Sequence, residues 1–118
     1  MPYVVANSSS WVYAGTGLAD GDSIPGLVGY EMDSSMSSAP LPTSVAGTYQ
    51  VLSQSPYVDT GTALTANSSI YQAPSGAWVF GAGTISWSWG LDLSGVVDPR
   101  IQRITANLLQ RFGASPSP

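Results

Sequence analysis

Histidine, cysteine and lysine are absent from this 118-residue chain. The lack of cysteine excludes disulfides, thiolate metal sites and a cysteine nucleophile. The lack of histidine and lysine leaves only carboxylates as bases for a serine nucleophile, and the sequence has no G-x-S-x-G motif. The candidate acid–base groups are therefore the seven Asp and Glu residues.

Charge is also scarce, since 8% of the residues are charged against about 25% in a typical domain. The net charge is −4, and the only cations are Arg100, Arg103 and Arg111. They form no basic stripe for phosphates, so we expect no nucleic-acid partner. No apolar run approaches the roughly 20 residues of a membrane span. The single predicted helix is too short for a membrane surface, so we expect no membrane partner.

Aromatic and small residues are abundant instead. The chain has four Trp and six Tyr and is 43% hydrophobic, which argues against intrinsic disorder. Its length suits one domain. We predict a single small domain over residues 1–113 and a disordered tail over residues 114–118. The predicted fold class is α+β, mainly β, with about five mostly antiparallel strands and one C-terminal helix packed on the sheet.

The predicted strands are runs rich in Val, Tyr, Trp and Ile between turn residues. They are two strands in YVVANSSSWVYAGTGL, one in LVGYEMD, one in TYQVLSQSPYV up to about Ser53, one in SIYQAP, and one in AWVFGAGTISWSWGLDL. Residues 34–48 and the segment DTGTALTANSS are predicted loops, and PSG is a predicted turn.

The last of these strands has the clearest pattern in the chain. Ile85, Trp87, Trp89, Leu91 and Leu93 alternate with small or polar residues, and a period of two gives one apolar face. We therefore expect Trp87 and Trp89 to lie on one buried face under the helix. The alternative is a sugar-stacking platform, which makes Tyr30, Trp87 and Trp89 candidate binding residues.

The segment DPRIQRITANLLQRFG predicts a C-terminal helix with recognisable capping residues at both ends. Asp98 fits the N-cap, Pro99 fits the first helical position, and Gly113 fits the position after the C-cap. The apolar stripe follows the 3.6-residue period and comprises Ile101, Ile104, Leu108, Leu109 and Phe112.

Two carboxylate positions are candidate sites. Glu31 lies in the apolar run GLVGYEMD, where a carboxylate is at a strand end, paired or functional. Asp20 and Asp22 have the D-x-D spacing of cation ligands, but Asp-Gly is also an ordinary turn sequence.

Several motifs together carry a resemblance to a known family. GTGL, DGD and PGLVGYE, then SPY, then APSGAWVF and the SWSWGLD segment, and finally DPRIQRITANLLQRF, resemble the end of proteins similar to the large (beta) subunit of N,N-dimethylformamidase. The resemblance covers about residues 3–112.

The resemblance implies an amidohydrolase that hydrolyses C–N bonds. In the family, the catalytic region is similar to an amidotransferase-like α/β domain without its Cys nucleophile, and a mononuclear iron is held by Tyr and Glu ligands. The Glu of the GYE motif, here Glu31, is implied to be an active-site carboxylate. The family's GHDEYW-like ligand region lies upstream and has no counterpart here. We therefore expect a C-terminal module without metal ligands or a cofactor of its own, inactive toward amides alone.

Two other functions remain open. One is a β module that binds glycans or assembles with its own copies through the Trp/Tyr face, and a weaker one is a small hydrolase using Glu31 and another carboxylate. The expected partner is a second copy or the upstream domain. We expect a bacterial source. The lack of cysteine does not determine the localisation, and secretion of the parent protein is one alternative.

Overall fold

A computed structural model describes residues 1–35 and 40–113. These residues contain seven short strands: β1 Tyr3–Val4, β2 Ser23–Ile24, β3 Gln50–Val51, β4 Ser55–Asp59, β5 Thr62–Ala66, β6 Ser69–Gln72 and β7 Trp78–Gly81. They also contain three α-helices, α1 Thr43–Ala46, α2 Trp89–Asp92 and α3 Pro99–Arg111, and 3₁₀ turns at Trp11–Tyr13 and Ile85–Ser88. The predicted α+β class is confirmed. The predicted tail, residues 114–118, lies outside the described residues.

The strands form three small antiparallel sheets. β1 pairs with β2, β4 pairs with β5, and β6 lies between β3 and β7. The predicted strand in SIYQAP and the turn after it are confirmed, because β6 and β7 pair from Ser69 opposite Gly81 to Gln72 opposite Trp78. A bridge between Val5 and Ser53 joins the first sheet to the rest.

The β4–β5 hairpin replaces a predicted loop. Thr60 and Gly61 at its tip both have positive φ angles, 46° and 83°, as a two-residue hairpin turn requires. The hairpin pairs with no third strand in the described part of the chain. It exposes Val58 and Leu64 to solvent. The loop prediction for DTGTALTANSS was wrong because it weighed the turn residues above the strand-favouring Thr residues that follow.

The predicted strands in WVYAGTGL and LVGYEMD are also wrong, and the one in AWVFGAGTISWSWGLDL is confirmed only at its start, where β7 spans Trp78–Gly81. Trp11–Tyr13 is a 3₁₀ turn in which the Ser10 side chain accepts a hydrogen bond from the Val12 amide. Thr84 caps Ser86 in the same way and starts a 3₁₀ turn that runs into α2. A side-chain cap satisfies an amide that a strand would pair with a neighbour, so the local bond favours the helical turn.

Helix α3 confirms the predicted ends. Asp98 accepts a hydrogen bond from the Arg100 amide at 2.8 Å, and Pro99 occupies the first turn. Gly113 follows the C-cap with a φ of 90°. The predicted stripe is buried at Ile101, Ile104 and Leu108 but exposed at Leu109 and Phe112. The helix packs against the 3₁₀ turn at Trp11–Tyr13 and against α2.

A single cluster of buried side chains joins these elements. It takes residues from β1, β2, β6, both 3₁₀ turns and α3. The hydroxyls of Tyr3 and Tyr13 lie 2.9 Å apart inside it, and burial raises the pKa of both above the usual value near 10. None of the helices in the described ranges is long and apolar enough to cross a membrane.

Candidate functional site

Glu31 lies in a loop that backbone and side-chain hydrogen bonds hold at both ends. Before Glu31, the Thr84 hydroxyl donates to the carbonyl of Leu27 at 2.8 Å and accepts from the Gly29 amide at 3.3 Å. At Glu31 itself, the carbonyl accepts from the Ile85 amide at 3.0 Å. The loop therefore lies alongside residues 83–86 in a fixed position.

The apolar run around Glu31 is divided between the core and the surface. Leu27 and Val28 are fully buried. Tyr30 then adopts a φ of 63°, a left-handed conformation that is uncommon for a bulky residue. This turn directs the chain outward, so Tyr30 is 80% exposed and Glu31 is exposed as well. The local packing therefore explains how a carboxylate occurs in this run.

Glu31 borders an open groove of about 250 Å³. The lining residues are Glu31, Asp33, Ala82, Gly83, Thr84 and Ile85. A second depression of about 120 Å³ adjoins it at Asp33 and Gly83 and adds Tyr49, Asn67 and several serines. We call the first of these the Glu31 groove.

Gly83 makes the floor of the Glu31 groove possible. Its φ is 71°, and a Cβ placed on it would lie 2.0 Å from the carbonyl oxygen of Asn67. The Gly83 carbonyl accepts from the Asp33 amide at 3.0 Å, and the Asp33 carbonyl accepts from the Asn67 amide at 2.9 Å. Three backbone segments, at Asp33, Asn67 and Gly83, thus meet so closely that position 83 has no room for a side chain.

Asp33 is a site residue that the sequence reasoning did not single out. It borders the same groove as Glu31 and is exposed. Met32, between Glu31 and Asp33, forms a bridge with Thr84, and backbone bonds from Ile85 to Glu31 and from Asp33 to Gly83 flank this bridge. The signal was the Glu-x-Asp spacing within the run GYEMD, which brings two carboxylates close together along the chain.

The three aromatic candidates separate in the structure. Trp87 is only 9% exposed. Its indole N–H donates to the Thr105 hydroxyl at 3.1 Å, and its ring makes edge contacts with Tyr3 and Phe80. Trp87 is therefore a core residue under α3, as the packing alternative predicts. Trp89 is half-buried, so the expectation that it shares a buried face with Trp87 is wrong, because helical turns point successive odd positions in different directions.

Tyr30 and Trp89 do meet at the surface. Their ring centroids lie 5.2 Å apart with an interplanar angle of 74°, a favourable edge-to-face geometry. Ile85, whose amide donates to the Glu31 carbonyl, is 58% exposed and borders the Glu31 groove. The site therefore combines two exposed carboxylates with an aromatic pair of one exposed and one half-buried ring.

Metal ligation by carboxylates would need several of them grouped around one point. Among residues 1–35 and 40–113, no three His, Cys, Asp or Glu side chains are grouped so that they could hold a metal ion. Asp20 and Asp22 instead accept hydrogen bonds from the amides of Ser8 and Ala19, at 2.7 and 2.9 Å, and so stabilise a turn. The acidic residues of the described ranges thus form no group of three ligands for the Tyr and Glu iron site that the family resemblance implies.

Comparison with known proteins bears on the identity of the chain. No curated protein and no solved structure matches it. A family model described as "N,N-dimethylformamidase beta subunit-like, C-terminal" matches residues 1–103. This range includes the Glu31 loop, Gly83 and the Tyr30–Trp89 pair. Because the match covers most of the 118 residues, the resemblance is confirmed, and the chain belongs to the family of C-terminal domains of N,N-dimethylformamidase beta subunit-like proteins.

Proposed function

We propose that this domain supplies the Glu31 carboxylate to an amidohydrolase centre that hydrolyses C–N bonds in a larger protein. By itself the domain is inactive toward amides. One observation carries the proposal: Glu31 is an exposed carboxylate on a loop that is fixed by hydrogen bonds from Thr84 and Ile85. Family membership supports the choice of reaction.

The fixed loop suits a catalytic carboxylate. An acid–base group must stay within hydrogen-bond reach of the proton that it transfers, about 2.6–3.2 Å between heavy atoms. The bonds to the Glu31 loop are made by the backbone and by a buried Thr84, so the loop keeps its shape without help from the Glu31 side chain. The carboxylate is therefore left available to a substrate.

The chemistry required of Glu31 is proton transfer. In amide hydrolysis, a water molecule adds to the carbonyl carbon and must lose a proton, while the nitrogen must gain one before the C–N bond breaks. A single carboxylate can accept the first proton and donate it to the leaving amine. The products are then a carboxylic acid and an amine, and Glu31 returns to its starting state.

Openness of the Glu31 groove explains the proposed inactivity of the domain alone. Both carboxylates are solvent-exposed, and a groove of about 250 Å³ is smaller than the roughly 300–1,000 Å³ of typical ligand sites. Electrostatic stabilisation of a transition state is weak in bulk water and strong in a site that excludes water. The missing walls and any metal are proposed to come from the upstream part of the larger protein.

The purified chain tests the second half of this proposal. We expect no stoichiometric iron after purification without added metal, and no release of amine from simple amides. Turnover that Glu31→Gln abolishes would overturn the proposed inactivity and favour a small carboxylate hydrolase, using Glu31 and Asp33.

A chimera tests the first half. In an amide-hydrolysing member of the family, residues 1–113 replace the corresponding C-terminal segment, and kcat is measured. Glu31→Gln should lower kcat by about 10²–10⁴-fold, the usual contribution of a positioned acid or base. The matched control is Asp59→Asn, which removes another exposed carboxylate at the tip of the β4–β5 hairpin and should leave kcat unchanged. An active chimera whose kcat survives Glu31→Gln would contradict the proposal.

A second candidate function is favoured by the Tyr30–Trp89 pair at the surface. Aromatic faces stack on sugar rings, and the nearby carboxylates of Glu31 and Asp33 can accept hydrogen bonds from hydroxyls. Glycan-array binding that Tyr30→Ala and Trp89→Ala both abolish would support it. Phe112→Ala is the control because Phe112 is an exposed aromatic at the end of α3. An array without a bound glycan would refute this second function.

A further inference from the structure

A second cleft lies between α3 and the 3₁₀ turn at Trp11–Tyr13. Its volume is about 500 Å³, within the roughly 300–1,000 Å³ of small-molecule sites. The lining residues are Trp11, Ala14, Arg103, Asn107, Gln110 and Arg111. None of them borders the Glu31 groove, so this arginine cleft is a separate feature of the fold.

The arginine cleft concentrates positive charge in an acidic chain. Only three cations offset seven acidic residues, and two of the three, Arg103 and Arg111, line this cleft. The third, Arg100, forms an ion pair with Asp98 at 2.8 Å and points elsewhere. The lining includes no carboxylate. The two guanidinium groups therefore face a space that carries no countercharge among its lining residues.

Each guanidinium group lies against the 3₁₀ turn or the residues that follow it. The Arg111 guanidinium lies 4.3 Å from the ring centroid of Trp11, and stacking on a ring face leaves the in-plane N–H donors available. The Arg103 guanidinium occupies the space where a Gly15 side chain would be, 3.0 Å from the position of its Cβ. Such contacts reduce the conformational entropy that the arginine side chains lose when a ligand binds.

The wall opposite the helix is fixed too. The Asn107 side chain donates hydrogen bonds to the carbonyls of Val12 and Ala14, at 3.0 and 2.8 Å. These bonds tie the 3₁₀ turn to the middle of α3, between the two arginines in sequence. Because both walls are linked directly, the cleft keeps its width.

We propose that the arginine cleft binds a small molecule that carries an oxyanion, either a carboxylate or a phosphate. Planar guanidinium groups match both anions through paired N–H donors, and this is the geometry in which arginine is preferred over lysine. The shared chemistry is a resonance-stabilised oxyanion at Arg103 and Arg111. Trp11 supplies an apolar wall for the remainder of the ligand.

The test is a titration of the folded chain followed by NMR of the Arg Nε–H and Trp indole N–H groups. Inorganic phosphate and acetate are the two probes, with chloride at matched ionic strength as the reference for screening. We expect saturable shifts at Arg103, Arg111 and Trp11 with at least one probe. The probe that saturates at the lower concentration assigns the ligand as a phosphate or a carboxylate.

Four variants separate this site from general charge attraction. Arg103→Gln and Arg111→Gln should each weaken binding by about 10- to 100-fold, the effect of losing a charged hydrogen-bonding group. Arg100→Gln is the matched control, since it removes the same charge from the same helix outside the cleft, and it should bind as the parent does. Arg103→Lys keeps the charge and should show an intermediate loss. Circular dichroism confirms that each variant retains α3. The proposal is overturned if neither anion gives saturable shifts, or if Arg100→Gln loses as much affinity as the cleft variants.

Discussion

Gly83→Ala perturbs the point at which the Glu31 groove is built. A Cβ at this position would lie 2.0 Å from the carbonyl oxygen of Asn67, 2.6 Å from its carbon and 3.0 Å from the amide nitrogen of Ser68. All three atoms belong to the backbone and cannot rotate away. The left-handed conformation of an alanine costs about 1–2 kcal/mol, and overpacking adds about 1–3 kcal/mol. The expected loss of unfolding free energy is therefore about 2–5 kcal/mol.

Gly17→Ala is the matched control for this experiment. Gly17 has nearly the same φ, 73°, and no atom lies within 4 Å of its Cβ position. It should lose only the conformational part, about 1–2 kcal/mol. Urea unfolding followed by Trp fluorescence measures both, and an unchanged m-value shows that the two values are comparable. Equal losses for the two variants would refute the close approach of Gly83 to Asn67, and with it the described floor of the groove.

Three further predictions concern packing, pH and assembly. Trp87→Phe removes the hydrogen bond to Thr105 and should cost about 0.5–1.5 kcal/mol, whereas Trp87→Ala should cost about 3–5 kcal/mol. Trp89→Ala should cost clearly less stability than Trp87→Ala because Trp89 is half-buried. Equal losses of stability in thermal unfolding would contradict this and indicate that both Trp side chains are buried. The Arg100 side chain beside Asp98 lowers the pKa of that carboxyl, so its contribution is present above about pH 4 and is lost as the pH falls through the lower folded-state pKa. Asp98→Asn retains a capping side chain and should flatten this acid-side loss of stability, and an unchanged pH profile would show that the pair contributes nothing. Light scattering coupled to size exclusion should show a homodimer or larger, since the β4–β5 hairpin offers open edges and the chain has few charges to oppose association. A constant mass near 12.2 kDa over a wide concentration range would contradict this prediction.

Helix α3 was predictable because its signals are local and agree with one another. The Asp-Pro start, the 3.6-residue stripe and the terminal glycine each indicate the same bounds, and the structure has them at Asp98, Pro99 and Gly113. The exposure of Leu109 and Phe112 was not predictable, because periodicity identifies a face of the helix without showing how far its neighbours extend.

The segment after Gly83 shows why a clear pattern can mislead. Alternation at Ile85, Trp87 and Trp89 predicts a strand, yet the Thr84 cap and the packing around Trp87 produce helical turns. Tertiary contacts decide such a case, since β propensity reflects packing as much as backbone preference. The contact between the Tyr30 and Trp89 rings was not predicted either, because the pattern does not place residue 30 beside residue 89.

The candidate site was half predictable. Glu31 was identified from its unusual surroundings and from the family resemblance. The contribution of Gly83 and Asp33 depends on backbone pairing between segments about 50 residues apart. A sequence pattern does not contain that pairing, so the groove itself could not be predicted.

The position of Glu31 relative to the reacting amide tests the central claim most directly. A crystal structure of an intact family member that carries this domain, with an amide or product bound, would give that distance. The account predicts a Glu31 carboxylate oxygen within about 2.6–3.2 Å of the substrate nitrogen, of the attacking water, or of one bridging water. A Glu31 side chain that faces bulk solvent, away from the bound amide, would contradict the account.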